Sequence, residues 1–273
     1  MKNYNNEFYT ESLRRALAAP VPAQTDSYTP VPHSMFLNLL KRKIEENGNQ
    51  IESQKIYTDL YGTKLVGYYN IRNNEVTQND LGMQMMCGFK NSYDKTMVAG
   101  FAAGANVIVC GNGMVRGDII SFKRKHTGSI IQELGAIIES SIQRMTEGFH
   151  RLVDDATLMR NYDLTERQRA EILGIMYFEK ELVKPNQLSY IRHQIKKSET
   201  FRGNSMWDLY NHVTEALKSA PVLTHIDDHI RLHDFMLEMA GVEEPIGFPN
   251  LEPTPAIEVN VSEKDHYLQD LFL

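Results

Sequence analysis

Lys123-Arg124-Lys125-His126 is the most basic short run in the chain, and it stands directly before Thr127-Gly128-Ser129 and a long apolar-periodic stretch. Free backbone N–H groups at a helix start, with cations just before them, make an anion site suited to phosphate. Arg116 precedes the last strand-like segment and can join from the other side of that hairpin. An ordinary solvated turn explains the same residues, because lysine and arginine are common there. A second basic group, Arg192, His193, Lys196, Lys197 and Arg202, lies on and just after a predicted helix. With Tyr57, Tyr61, Tyr68 and Tyr69 as stacking surfaces it would suit a single-stranded nucleic acid, whose backbone takes cations and whose bases take aromatic faces. A solvated helix face and sheet packing account for these residues equally. Convergence on one groove is what separates the two readings.

Three histidines, His225, His229 and His233, recur at i, i+4, i+8. Two helical turns separate the outer pair by about 12 Å, so at most a His-x-x-x-His pair such as His225 and His229 could chelate one ion, with a further ligand from elsewhere. A solvated polar face is the plainer reading of the same spacing. No His-Glu-x-x-His or His-x-Glu with Cys-x-x-Cys pattern is present, and neither is a nucleotide-binding loop or a nucleophile elbow. The glycines of Gly100-Phe101-Ala102-Ala103-Gly104 lack the lysine that would neutralise a phosphate. Catalysis has no support in the residue pattern, and no cofactor is expected. The two cysteines, Cys87 and Cys110, sit in strand-like runs and read as small buried hydrophobes.

These groups must be positioned by the stretch Gly82 to Gly128. Its apolar segments Met83–Phe89, Met97–Phe101, Asn106–Cys110 and Ile119–Phe122 are separated by turn residues, the pattern of an antiparallel meander. Asn91, Ser92 and Asp94 can close a turn through their own side chains, and Gly111-Asn112-Gly113 tolerates positive φ. Turns at the ends of adjacent strands would place Asn91, Asp94, Cys110 and Asn112 on one rim. That rim would either bind a ligand or serve backbone geometry alone.

Upstream, Ile56–Tyr61 and Lys64–Ile71 read as a hairpin turned at Gly62-Thr63, preceded by a helix over Met35–Asn47 with Ser34 as its N-cap. Downstream, apolar residues from Ile130 to Met159 step by three and four for about eight turns, the stripe of one long helix able to cover a sheet face. Further helices are predicted from Thr165 (a capping box with Gln168), Pro185, Asn204 or Ser205, and Thr224. Strands first and helices after predict an α+β fold: an antiparallel sheet over about residues 50–127 covered by a long helix, then a helical C-terminal half. The expected organisation is a mobile N-terminal arm or oligomer contact over 1–27, a single α+β domain over 28–240 and a flexible acidic tail over 241–273.

Several short motifs carry a family resemblance. Asn91-Ser92-Tyr93-Asp94, then Val107 to Met114, then Lys125-His126-Thr127-Gly128 resemble the successive motifs of the phage/plasmid-related family known as domain of unknown function 932. Tyr28-Thr29-Pro30-Val31-Pro32 and the helical stretch Trp207 to Glu215 are similar to two more of its motifs, so the likeness spans about residues 28–220. Tyr93 stands where histidine is frequent in that family, which argues against imidazole chemistry at the turn. The resemblance implies a mobile genetic element in a bacterial host and brings no settled activity.

A chain of 273 residues can bury a substantial core, and no apolar run approaches bilayer length. A soluble protein of the bacterial cytoplasm is expected. The net charge of −6 excludes a uniformly positive surface, so the placement of the cations matters more than their sum. The expected partner is nucleic acid, single-stranded DNA foremost. A protein that counters a host defence is the alternative, and a metal-dependent enzyme a lesser one. Over 243–273 the acids Glu243, Glu244, Glu252, Glu258, Glu263, Asp265 and Asp270 face a single Lys264, and the chain closes on Leu271-Phe272-Leu273. Such a tail could dock a host protein, fold back on the core or cover the basic run. Homo-oligomerisation through the N-terminal arm is a further expectation.

Overall fold

The computed structural model describes residues 4–73, 80–107, 112–115, 120–121 and 130–241. Two helices, α1 (Tyr4–Ala18) and α2 (His33–Glu46), lead into strands β1 (Gln50–Thr58), β2 (Lys64–Arg72), β3 (Met83–Ser92), β4 (Gly100–Val107), β5 (Asn112–Val115) and β6 (Ile120–Ser121). The strands form one antiparallel sheet in the order β1-β2-β3-β4-β5, with β6 also paired to β4. Helices α3 (Ile130–Gln143), α4 (Met145–Arg160), α5 (Glu166–Phe178), α6 (Pro185–Lys197), α7 (Met206–Leu217) and α8 (His225–Met239) follow. This is the α+β arrangement expected from strands preceding helices.

The alternation of the strands decides where the core sits. Leu65, Tyr69 and Ile71 of β2, Met83, Met85, Cys87 and Phe89 of β3, and Phe101, Ala105 and Val107 of β4 point to one face, and all are buried in the main core. The β2–β3 register sets Gly67 opposite Phe89, and a Cβ on Gly67 would run into the Phe89 ring. That face is covered by α2, whose Phe36, Leu40 and Ile44 are fully buried, and by α3 and α4. The opposite face carries a smaller cluster, Val66, Met86 and Ala102, closed by Ile226 at the start of α8. Gly88 sits beneath it, since a Cβ there would lie 3.1 Å from Ile226 Cδ1.

Four features differ from the sequence reading. The stripe from Ile130 to Met159 is two helices, interrupted at Arg144. Ser141 donates its hydroxyl to the Ile137 carbonyl one turn back, beside Ser140, and such a hydroxyl competes for the helical ladder and bends it. The apolar spacing survives the break, because Ile138, Ile142, Met145, Phe149 and Leu152 all remain buried. The segments expected as separate strands around Phe101 and Asn106 are one strand, β4, which runs through Gly104 paired with Met86 on one side and Val115 on the other. The residue that caps α2 is Pro32 rather than Ser34. The N-terminal segment, expected as a mobile arm or oligomer contact, has the helix that its pattern over Glu7 to Ala19 indicates, but that helix, α1, packs along β1 and buries Ser12 and Ala16. Its end meets the β1–β2 turn, where Gly62 has φ +72° and faces the Arg15 carbonyl too closely for any side chain.

Candidate nucleic-acid interface

Helix α6 presents its cations outward because its apolar positions leave no choice. Ile191 is fully buried and Leu188 and Ile195 pack against the core, which turns Arg192, His193, Lys196 and Lys197 to solvent. Neither these four nor exposed Arg202 forms an ion pair with any described residue. The helix stops at Ser198, whose hydroxyl accepts from the backbone N–H of Thr200 at 3.3 Å and of Phe201 at 3.1 Å. This side-chain turn brings Phe201 back towards α7.

Helix α7 starts at a capping box in which Ser205 and Asp208 satisfy each other's backbone N–H groups. Its buried face includes Asn211 and His212 as well as apolar residues. Asn211 Nδ2 donates to the Trp207 carbonyl at 2.9 Å, and the Phe201 ring meets the His212 ring edge-on at 6.4 Å between centroids. Burial lowers the His212 pKa; Asp208 opposes that shift, Arg169 reinforces it, and a hydrogen bond to the Phe201 backbone opposes it. Between the two helices lies a groove of about 230 Å³ lined by Gln194, Ser198, Thr200, Phe201, Asn211, His212 and Glu215. Glu215 is held at its mouth by Lys218 Nζ at 2.5 Å. An aromatic ring, amides, hydroxyls and a carboxylate thus line one small space next to the exposed cations Lys197 and Arg202.

Other residues singled out in the sequence go elsewhere. Arg116, Lys123, Arg124, Lys125 and His126 lie outside the described residues, as do Cys110 and the tail over 243–273. The proposed rim is divided. Asn112 opens β5 opposite Val107, whereas Asn91 lies just beyond the Lys90–Gly100 pair at the other end of β4. Seven residues of strand, roughly 23 Å, separate those ends. The reason is register, since β4 is one strand where two were expected. Of the tyrosines, Tyr69 is buried against Phe89 at 4.6 Å and Tyr68 has its hydroxyl buried without a partner. Tyr57 is half-buried, and only Tyr61 of the four is well exposed, at 78%. The rings beside the α6 cations are instead Tyr190, 40% exposed on α6 itself, and the half-exposed Phe201.

The histidines of α8 do not form a solvated face. His229 and His233 are buried, and His233 Nε2 lies 3.0 Å from Asp155 Oδ2. His225 Nε2 is 3.0 Å from the Ala220 carbonyl, and its ring stands perpendicular to that of His229 with 6.3 Å between centroids. Burial pushes the His229 pKa down to about 3. Among the described residues no group of three or more His, Cys, Asp or Glu is placed to hold a metal ion. Cys87 is buried and its thiol is pushed far above its usual range by burial, as a small core hydrophobe would be.

Two motifs distant in the chain meet at the end of the sheet. Tyr28 donates its hydroxyl to the Tyr93 and Ser92 carbonyls at 3.3 and 3.4 Å, and Tyr93 Oη accepts from the His33 N–H at 2.7 Å. Asn91 Nδ2 donates to the Val31 carbonyl and His33 Nδ1, each at 2.9 Å, and the His33 and Tyr93 rings stack at 3.9 Å. Asp94 accepts from the Thr96 N–H and hydroxyl and pairs with Lys64 at 3.2 Å. This is a structural joint between the start of α2 and the β3–β4 turn. The sequence reading passed over Gln194, Phe201, His212 and Glu215 as site residues. The signal available for His212 and Glu215 was the stretch Trp207 to Glu215, where polar residues share a helix that is otherwise buried; Gln194 and Phe201 had none.

An antiparallel sheet packed mainly by α2, α3 and α4 on one face and met by α8 on the other, with the Tyr28–Tyr93 joint at its end, defines an α+β protein. The chain belongs to the family Domain of unknown function (DUF932), whose model matches residues 22–231. No curated protein and no solved structure matches it. Among the described residues no helix is long and apolar enough to cross a membrane.

Proposed function

We propose that this protein binds nucleic acid, single-stranded DNA foremost, in the replication, recombination or establishment of a phage or other mobile element. The observation that carries this reading is the row of exposed cations Arg192, Lys196 and Lys197 on α6, with Arg202 beyond it, none ion-paired to a described residue, beside a groove that offers a ring and amides. Cations spaced along a helix track phosphates, and an adjacent aromatic face accepts a base without demanding a sequence. The run Lys123 to His126 supplies further phosphate contacts in this reading.

Fluorescence anisotropy with a labelled single-stranded oligonucleotide tests it. Affinity should fall steeply between about 50 and about 200 mM salt. Replacing Arg192, Lys196 and Lys197 together by Ala should weaken binding at least about tenfold and flatten the log–log salt slope by about 2, since each lost phosphate contact of a single strand removes about 0.7. Absent or salt-insensitive binding by the unaltered protein overturns the proposal.

One feature favours a second reading, a protein-interaction factor that counters a host defence. The β1–β2 turn holds Leu60 and Tyr61 82% and 78% exposed, two large apolar side chains side by side on a turn whose geometry is otherwise closed by Asp59. Purification from host cells decides between the two. A single stoichiometric protein partner, free of nucleic acid and lost when Leu60 and Tyr61 are changed to Ser, supports the second.

A further inference from the structure

We infer that the α6–α7 groove is a pocket for one unpaired nucleobase, with Phe201 as its ring wall and Gln194 and Glu215 at the edge of the base. The inference deepens the nucleic-acid reading and rests on it for the source of the base. Volume sets the class of ligand. At about 230 Å³ the groove is smaller than the pockets of about 300–1,000 Å³ that take drug-sized molecules, yet it has room for several waters at about 30 Å³ each. One planar heterocycle suits that space and a dinucleotide does not.

Chemistry sets the rest. Phe201 is half-exposed and braced by the His212 ring, so it offers an aromatic surface already fixed in place. His212 is buried, and that burial lowers its pKa and so disfavours a cation on the inner wall that would call for a phosphate. The phosphate-binding groups stand outside the groove instead, at Lys196, Lys197 and Arg202. Glu215 is 30% exposed at the mouth and tethered by Lys218. A carboxylate only accepts hydrogen bonds, so it favours bases that carry an exocyclic amino group, adenine, cytosine or guanine, over thymine. Cations outside and acceptors and a ring inside is the division of labour that separates holding a strand from reading one of its bases.

The experiment compares a single-stranded oligonucleotide with an abasic strand of the same length, each titrated into the full-length protein. The normal strand is expected to bind about tenfold more tightly, and Phe201→Leu, which keeps apolar bulk but removes the ring, should erase that difference. Glu215→Gln should narrow the preference for oligo(dC) over oligo(dT) and leave abasic binding unchanged. The triple Ala variant of Arg192, Lys196 and Lys197 should weaken both strands alike. Equal affinity of the unaltered protein for normal and abasic strands overturns the base pocket while the strand-binding reading stands. If neither strand binds, the strand reading falls, and free dCMP decides the pocket through the emission of Trp207, the single tryptophan, whose carbonyl is bonded to groove residue Asn211. A saturable change lost in Phe201→Leu sustains the pocket, and no change overturns it.

Discussion

His33 is held at both ring nitrogens, by Asn91 Nδ2 on Nδ1 and by the Gly62 carbonyl 3.1 Å from Nε2. Because Asn91 donates to Nδ1, the ring hydrogen sits on Nε2, and protonating the other nitrogen would set two donors against each other. Burial lowers the His33 pKa to about 4 and that of His229 to about 3. Both lie below the ordinary histidine value of about 6.5, so the unfolded chain takes up protons first as the pH drops. The stability these neutral rings contribute is complete above about pH 6.5 and is lost as pH falls towards their folded values. Urea denaturation should therefore show a loss of at most about 2 kcal/mol per ring between about pH 7 and about pH 5. His229→Phe should flatten that dependence, and an unchanged slope would count against it. Asn91→Ala leaves the Val31 carbonyl and His33 Nδ1 without their donor, at a cost of about 2–3 kcal/mol, read as a fall in Tm of about 4–10 °C.

At the scale of elements, periodicity and capping predicted what local physics controls. The capping box at Thr165, the Pro185 start of α6, the start of α7 at Ser205 and the β1–β2 hairpin all occur where their residues indicate. Ser205→Ala should cost about 1 kcal/mol through the lost cap of α7, a change in Tm of about 2–4 °C. The errors were of a different kind. A glycine inside a strand resembles a turn until its ladder partners are known, which is why β4 was divided and Asn112 placed at the wrong end. The break at Arg144 is invisible to a stripe of apolar residues, because the stripe continues through it. Gly67 shows the same limit, since its need for an absent side chain comes from Phe89 on the neighbouring strand. Gly67→Ala should destabilise by about 1–3 kcal/mol through overpacking, measured by chemical denaturation, and a neutral result would show that the Phe89 ring can shift.

Across the whole molecule, Lys90 joins the second sheet face to α8. Its side chain is 7% exposed and its ammonium lies 2.8 Å from Asp227 Oδ1, a carboxylate 50% exposed. The half-exposed partner makes the ion pair itself a modest contributor, so the buried stem should matter more. Lys90→Ala should cost about 1–2 kcal/mol and Lys90→Met less than about 1, compared by thermal melts. Equal losses in both variants would instead assign the effect to the charge pair.

By itself the sequence determined the class of fold, the places where most helices begin, and the outward placement of Arg192, Lys196 and Lys197, because each depends on the spacing of neighbours along the chain. Tertiary structure decided which of those residues share a site. It parted Asn91 from Asn112 through strand register, buried Tyr69, His229, His233 and the hydroxyl of Tyr68, which composition alone presented as polar surface, and set Phe201 against His212 beside the α6 cations. Periodicity is a property of one element, whereas burial and proximity are set by the elements packed against it, and no spacing along the chain encodes the partner.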